Sequence, residues 1–178
     1  MNLERLDQEH RLIERFLQLL KAWEERHYRK LPLPDGWMSH AVDFIKLFTD
    51  GIHHAKEEHV LFPFMENHGI PREGGPIGVM LAEHGDARTL ATAMESAWKA
   101  GDPAAFFLAG KKYGQLLTQH IFKEDHILYP MAKGAIFDDG AVAVEEAFLQ
   151  VEKPLGGDQA RNQWFNWIDL EERQLKNQ

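Results

Sequence analysis

The chain has 178 residues and carries 20 Lys+Arg against 28 Asp+Glu, a formal charge of -8 and the wrong sign for gripping nucleic-acid phosphates. It contains no cysteine, which excludes disulfide scaffolds, cysteine-ligated zinc or iron–sulfur sites and thiol nucleophiles, yet it contains ten histidines. No apolar run reaches the length of a membrane span, and the first residues enter a helical pattern with no signal-peptide core, so a cytoplasmic protein is expected.

In residues 3–27, Leu3, Leu6, Ile13, Phe16, Leu17, Leu20 and Trp23 recur at three- and four-residue steps, the mark of one buried helical face. Pro32 and Pro34 make the following stretch a loop. A second amphipathic helix is predicted over residues 37–68 and ends in the Gly69 to Pro76 segment. That segment reads as a turn and not a phosphate cradle, because no strand precedes it and no lysine with serine or threonine follows. A third helix starts near Pro76 and closes at Gly101; Asp102 and Pro103 are an N-cap and a first-turn proline that open a fourth, to about Lys133. Residues 142–152 and 159–175 are predicted as two shorter helices, docked on the rest through Phe148, Trp164, Phe165 and Trp167. No stretch alternates like a strand. The expected architecture is all-α: an up-down-up-down four-helix bundle over residues 1–135 and a C-terminal helical extension over residues 136–178 packed against it.

Two eleven-residue segments repeat each other. His53-His54-Ala55-Lys56-Glu57-Glu58-His59-Val60-Leu61-Phe62-Pro63 and His120-Ile121-Phe122-Lys123-Glu124-Asp125-His126-Ile127-Leu128-Tyr129-Pro130 share His, Lys, Glu, His, Leu and Pro in register. Each holds a His-x3-Glu pair, and four residues along an α-helix turn about 400° and rise roughly 6 Å, so imidazole and carboxylate share one face. The pairs Glu9-His10 and Glu83-His84 precede them, one per segment. The chain is thus two copies of a His…His-x3-Glu unit, His10 with His53 and Glu57, then His84 with His120 and Glu124. Four imidazoles and two carboxylates inside one bundle form a nitrogen/oxygen set suited to iron or manganese, able to hold two metals bridged by carboxylates. His54 and Glu58 are also four apart and offer another register; alignment with His120 and Glu124 favours His53 and Glu57, leaving His54 behind the ligands or exposed.

These marks, together with Gly74 to Leu81 before His84, resemble the hemerythrin-like, or HHE cation-binding, family over about residues 3–133, in the form of its bacterial single-domain members. The resemblance implies a four-helix bundle with a non-haem di-iron centre, ligated by His10, His53, Glu57, His84, His120 and Glu124, with Glu57 and Glu124 bridging. Ferritin-like proteins use Glu-x-x-His twice, whereas Glu24-x-x-His27 occurs here without a second copy. Oxygen-carrying hemerythrins place a fifth histidine one turn from the His84 position, where this chain has Met80 and Arg88. The resemblance therefore points toward the four-histidine centres of the di-iron repair proteins and related sensors, although the cysteine-bearing N-terminal domain of the repair proteins is absent from this sequence.

Glu14, four residues after His10, is read either as an extra carboxylate ligand or as an ion-pair partner of Arg88 across the bundle. Tyr113 shares the His120 face and is read as core, with a pocket-lining role as the alternative. His59 and His126 are rotated off the ligand stripe, and His27, His40 and His68 have no partner at ligand spacing. The expected function is oxygen or redox handling, or sensing, at a di-iron centre that takes a small diatomic or peroxide ligand. The alternative is an enzyme reducing peroxide or nitric oxide, or donating iron to iron–sulfur repair.

Overall fold

The computed structural model describes residues 3–135 and 138–176. Helix α1 (Glu4–Tyr28) carries Glu4 and Asp7 in its first turn and Arg26 and His27 in its last, charges that complement the helix dipole. Gly36, in the left-handed region at φ 74°, turns the chain into α2, which runs through residues 37–67. Helix α3 (Pro76–Lys99) opens on its proline, and α4 runs through residues 103–135. The Asp102 side chain caps α4 by accepting from the Ala105 N–H at 3.0 Å, as its sequence position predicts. Helices α5 (Asp138–Glu152) and α6 (Gly157–Lys176) follow, joined by a 3₁₀ turn at Lys153–Leu155. The four long helices form the expected up-down-up-down bundle, with α5 and α6 packed on it; none of the described residues forms a strand. No described helix is long and apolar enough to cross a membrane.

Two of the long helices are not α-helical throughout. Helix α2 widens to π geometry at Phe44–His54 and Glu57–Leu61, and α4 widens at Glu124–Leu128. The Phe62 N–H donates five residues back to the Glu57 carbonyl, and the Tyr129 N–H likewise to Glu124. Both of these turns end two residues before a proline, Pro63 or Pro130, whose missing N–H interrupts the regular ladder anyway.

The core falls into two apolar clusters. One gathers Phe16, Trp23, Trp37, Phe44, Phe48, Phe106 and Phe107; the other gathers Leu6, Leu61, Phe62, Met65, Ile77, Met80, Leu128 and Tyr129. Each large side chain so buried contributes roughly 1.5–3 kcal/mol. Every long helix passes from one cluster to the other at its predicted metal ligands: His10 on α1, His53 and Glu57 on α2, His84 on α3, His120 and Glu124 on α4. The extension closes both clusters. Val144 and Phe148 of α5 join the second, while Ile168 of α6 joins the first and Trp164 and Trp167 pack on Phe44. Phe165 is half exposed, beneath the Arg15 guanidinium.

Candidate metal centre

Between the clusters, seven side chains are buried to 1% exposure or less: His10, His53, His54, Glu57, His84, His120 and Glu124. Their donor atoms form three groups, each within 4.8 Å: His10, His53, Glu57 and Glu124; Glu57, His84, His120 and Glu124; and His54, His84 and His120. First-row metal bonds of about 2.0–2.2 Å place opposite ligands about 4.2 Å apart, so each group is near the size of one coordination sphere. Glu124 faces both ends. Its Oε2 lies 3.1 Å from His10 Nε2, and its Oε1 lies 3.2 Å from His120 Nε2 and 4.0 Å from His84 Nε2. Glu57 Oε2 lies between His84 Nε2 at 3.4 Å and His53 Nε2 at 3.8 Å.

Every imidazole is oriented from behind. The Nδ1 atoms of His10, His53, His84 and His120 meet Asp125 (2.6 Å), Glu9 (3.1 Å), Glu58 (2.7 Å) and Glu83 (3.0 Å), and His54 Nδ1 meets Asp50 at 3.3 Å. A carboxylate on Nδ1 keeps the proton there and turns the Nε2 lone pair inward, the arrangement that prepares histidine for a metal. The inward atoms are left over: His53 Nε2, His54 Nε2, Glu57 Oε2 and Glu124 Oε1 are buried and have no hydrogen-bond partner. A buried polar atom without a partner costs about 1–3 kcal/mol, and four such atoms converging here are donors that a cation would satisfy.

The electrostatics agree. Burial opposes charge on His10, yet Asp125 and Glu124 hold it up to about 9; burial likewise opposes charge on His120, which Glu124 and Glu83 hold up to about 10. Without metal, these groups keep protons where a cation would sit. Burial, with His84 and His120 beside it, pushes His54 well below its usual value, so that ring stays neutral. Burial and the Glu57 and Glu124 charges raise the Tyr129 hydroxyl well above its ordinary value, which makes it a phenol in this state.

One family model matches residues 1–132, the hemerythrin HHE cation binding domain. The chain belongs to that family. No curated protein and no solved structure matched it. The HHE domain thus has a buried cluster of histidines and glutamates able to hold metal.

The six predicted ligands are brought together, and His54 joins them. Of the two expectations for His54, exposure does not hold: its ring is buried and stacks on His84 at 3.9 Å. His54 ends a widened stretch of α2, in which adjacent positions lie somewhat closer in angle than the about 100° of a regular α-helix, and residues 53 and 54 both face the cluster. Glu58 stands behind His84, 2.7 Å from its Nδ1. Glu14 is neither near the centre nor paired with Arg88. It is 38% exposed and pairs with Arg11 at 2.7 Å, whereas Arg88 pairs with Asp50 (2.8 Å) and Glu58 (2.7 Å). Tyr113 is buried in the core and also lines a cavity of about 220 Å³, together with Ile45, Asp50, His54, Ala87 and Arg88. His40, His59, His68 and His126 are exposed, and His27 stacks on Phe107 at 5.2 Å. Sequence reasoning missed the orienting roles of Glu9, Glu83 and Asp125, although each stands beside a predicted ligand at matching places in the repeat.

Proposed function

We infer that this protein holds two iron ions and handles oxygen or a related small oxidant, a diatomic or a peroxide. His10 and His53 would hold one ion, His84, His120 and His54 the other, and Glu57 and Glu124 would bridge. The observation that carries this reading is the set of five imidazoles, each fixed by a carboxylate at Nδ1 with Nε2 turned to a common centre. Nitrogen and carboxylate donors without sulfur suit iron, and manganese is the other metal the same set accommodates. An iron pair supplies one-electron chemistry and open positions for a small ligand.

The chain's own residues set the conditions. The apolar clusters on both sides keep bulk water from the centre, and the carboxylates at Nδ1 raise the basicity of the imidazoles. The cavity at His54, walled by Ala87, Ala91, Ile45 and Tyr113, is wide enough for a small molecule to approach the second ion, with Arg88 and Lys46 also on its lining. The imidazole set is asymmetric, two that would hold one ion against three that would hold the other.

Anaerobic purification with metal quantitation, followed by absorption spectra on admitting oxygen, tests this reading. Two irons per chain and an oxygen-dependent spectral change are expected, and His120→Ala or Glu124→Ala should lose the pair. Wild-type protein without stoichiometric metal would overturn the reading, and two metals retained in both variants would overturn the ligand set.

A further inference from the structure

The two units of the repeat place an aromatic ring in matching positions, Phe62 in the first and Tyr129 in the second. Each ring stacks on a ligand histidine of the other unit: Phe62 on His84 at 5.9 Å and 19°, Tyr129 on His10 at 5.2 Å and 5°. The pseudo-symmetry is broken by one atom, the Tyr129 hydroxyl. It is fully enclosed, 3.2 Å from His10 Nε2 and 2.7 Å from Glu57 Oε1.

That position is informative because His10 Nδ1 is occupied by Asp125, so Nε2 is the nitrogen a metal would take. Adjacent ligands of an octahedral ion with bonds of about 2.1 Å are about 3 Å apart. Tyr129 Oη is at that spacing from two donors of the same subsite. The phenol donates its one proton to Glu57 Oε1, so a lone pair of the hydroxyl oxygen faces His10 Nε2, and once Nε2 gives its own lone pair to a metal that oxygen is left with the ion's ligands as neighbours.

We propose that Tyr129 is an oxygen ligand of the metal held by His10 and His53. The proposal rests on the di-metal reading above. On binding, the phenol O–H bond breaks, the electron pair stays on oxygen and forms the metal–oxygen bond, and the proton leaves to solvent. The cation supplies the positive charge that the buried phenol otherwise lacks. The two ions then differ in donor type as well as number: His54 adds a nitrogen to one, where Ile121 stands in the other unit, and Tyr129 adds an anionic oxygen to the other, where Phe62 stands opposite. A phenolate favours the higher oxidation state of the ion it binds and occupies a position an external ligand would otherwise take, which suits redox chemistry better than reversible oxygen carriage.

The test adds two equivalents of ferrous iron to metal-free protein anaerobically, admits oxygen, and records bound iron, the visible spectrum and the resonance Raman spectrum excited within it. The expected result is a phenolate-to-ferric charge-transfer band with enhanced tyrosine ring modes. Tyr129→Phe should lose both while still binding two irons, and it should fold, since phenylalanine already fills the matching place at residue 62. Tyr28→Phe, at an exposed tyrosine, should keep both. Two bound irons without the phenolate signature in wild type, or a signature that survives Tyr129→Phe, would overturn the Tyr129 assignment and leave the di-metal reading standing. Wild-type protein that binds no iron would overturn both.

Discussion

The two halves of the repeat orient a ligand through the same contacts but end them differently. In the second half, Glu83 holds His120 and is itself held by Lys123, whose side chain is 31% exposed, so the contacts end in water. In the first half, Glu9 holds His53 and is held by Lys56, which is fully buried because Glu152 of α5 covers it as a second ion-pair partner. Arg5 meets Glu152 at 3.0 Å, and the Lys56 ammonium lies over the Phe148 ring at 5.9 Å. One helix of the extension thus takes the place that solvent occupies in the other half. The C-terminal helices therefore do more than cover apolar surface, since Glu152 pairs with the buried lysine that holds Glu9 on His53.

Breaking this contrast should show first in stability. Lys56→Met leaves the Glu9 and Glu152 carboxylates buried without their shared cation and should cost about 3 kcal/mol, whereas Lys123→Met should cost less than about 1 kcal/mol. Urea denaturation of the metal-free proteins measures both, and equal losses would show that solvent serves the first half as well as Glu152 does. Next in size is the effect on metal. Removing a carboxylate behind a ligand histidine lowers affinity about 10–100-fold, and Glu9→Gln should lie toward the upper end of that range, Glu83→Gln toward the lower. Competition titration with a chelator ranks them.

Acid sharpens the same contrast. Burial would raise the Glu9 carboxyl, but the His53 hydrogen bond and the Lys56 charge hold it at about 2. A carboxyl lowered on folding adds stability that is present above its unfolded value, near 4.3, and lost as pH falls through 2. The melting-temperature gap between wild type and Glu9→Gln should therefore be widest near neutrality and close between about pH 4 and 2. Glu83 is lowered too, against a smaller burial penalty, and its gap should be narrower throughout. A Glu9→Gln gap that stays constant with pH would mean the loss comes from packing and not from the charge.

The helices and the ligand stripe could be read from the residues because proline, glycine and Asp102 mark the ends, and because His-x3-Glu occurs twice in register. His54 could be read only as one of two registers, four residues before Glu58. A 3.6-residue period puts residue 54 about 100° from residue 53 and does not show that both face the cluster. The prolines that follow two of the widened stretches are their one local mark, and they do not say how many residues the turn gains. The orienting carboxylates were visible as repeated neighbours of the ligands, but two of them serve the opposite unit: Glu58 holds His84, and Asp125 holds His10 across 115 residues. Such exchange depends on the relative placement of helices, which local periodicity does not carry. Glu152 is one acid in an amphipathic stretch, and nothing in its surroundings distinguishes it from a solvated charge until α5 lies over Lys56.

The smallest effect is expected at Glu14. Arg11 donates to Asp125, which holds His10, just as Arg88 donates to Glu58, which holds His84, so these two arginines are equivalent outer members of the two halves. Glu14 sits one step further out, on Arg11, where both side chains are well exposed. An exposed i,i+3 ion pair contributes a few tenths of a kcal/mol, and Arg11 keeps its contact with Asp125 when Glu14 is gone. Glu14→Ala should therefore change stability by less than about 0.5 kcal/mol and leave metal content at the wild-type value. A tenfold loss of metal affinity in that variant would mean that Arg11 must itself be held for Asp125 to orient His10. Because Arg88 has Asp50 in the corresponding place, the halves would then be matched at this outer position after all, and the contrast between them would reduce to Glu152 alone.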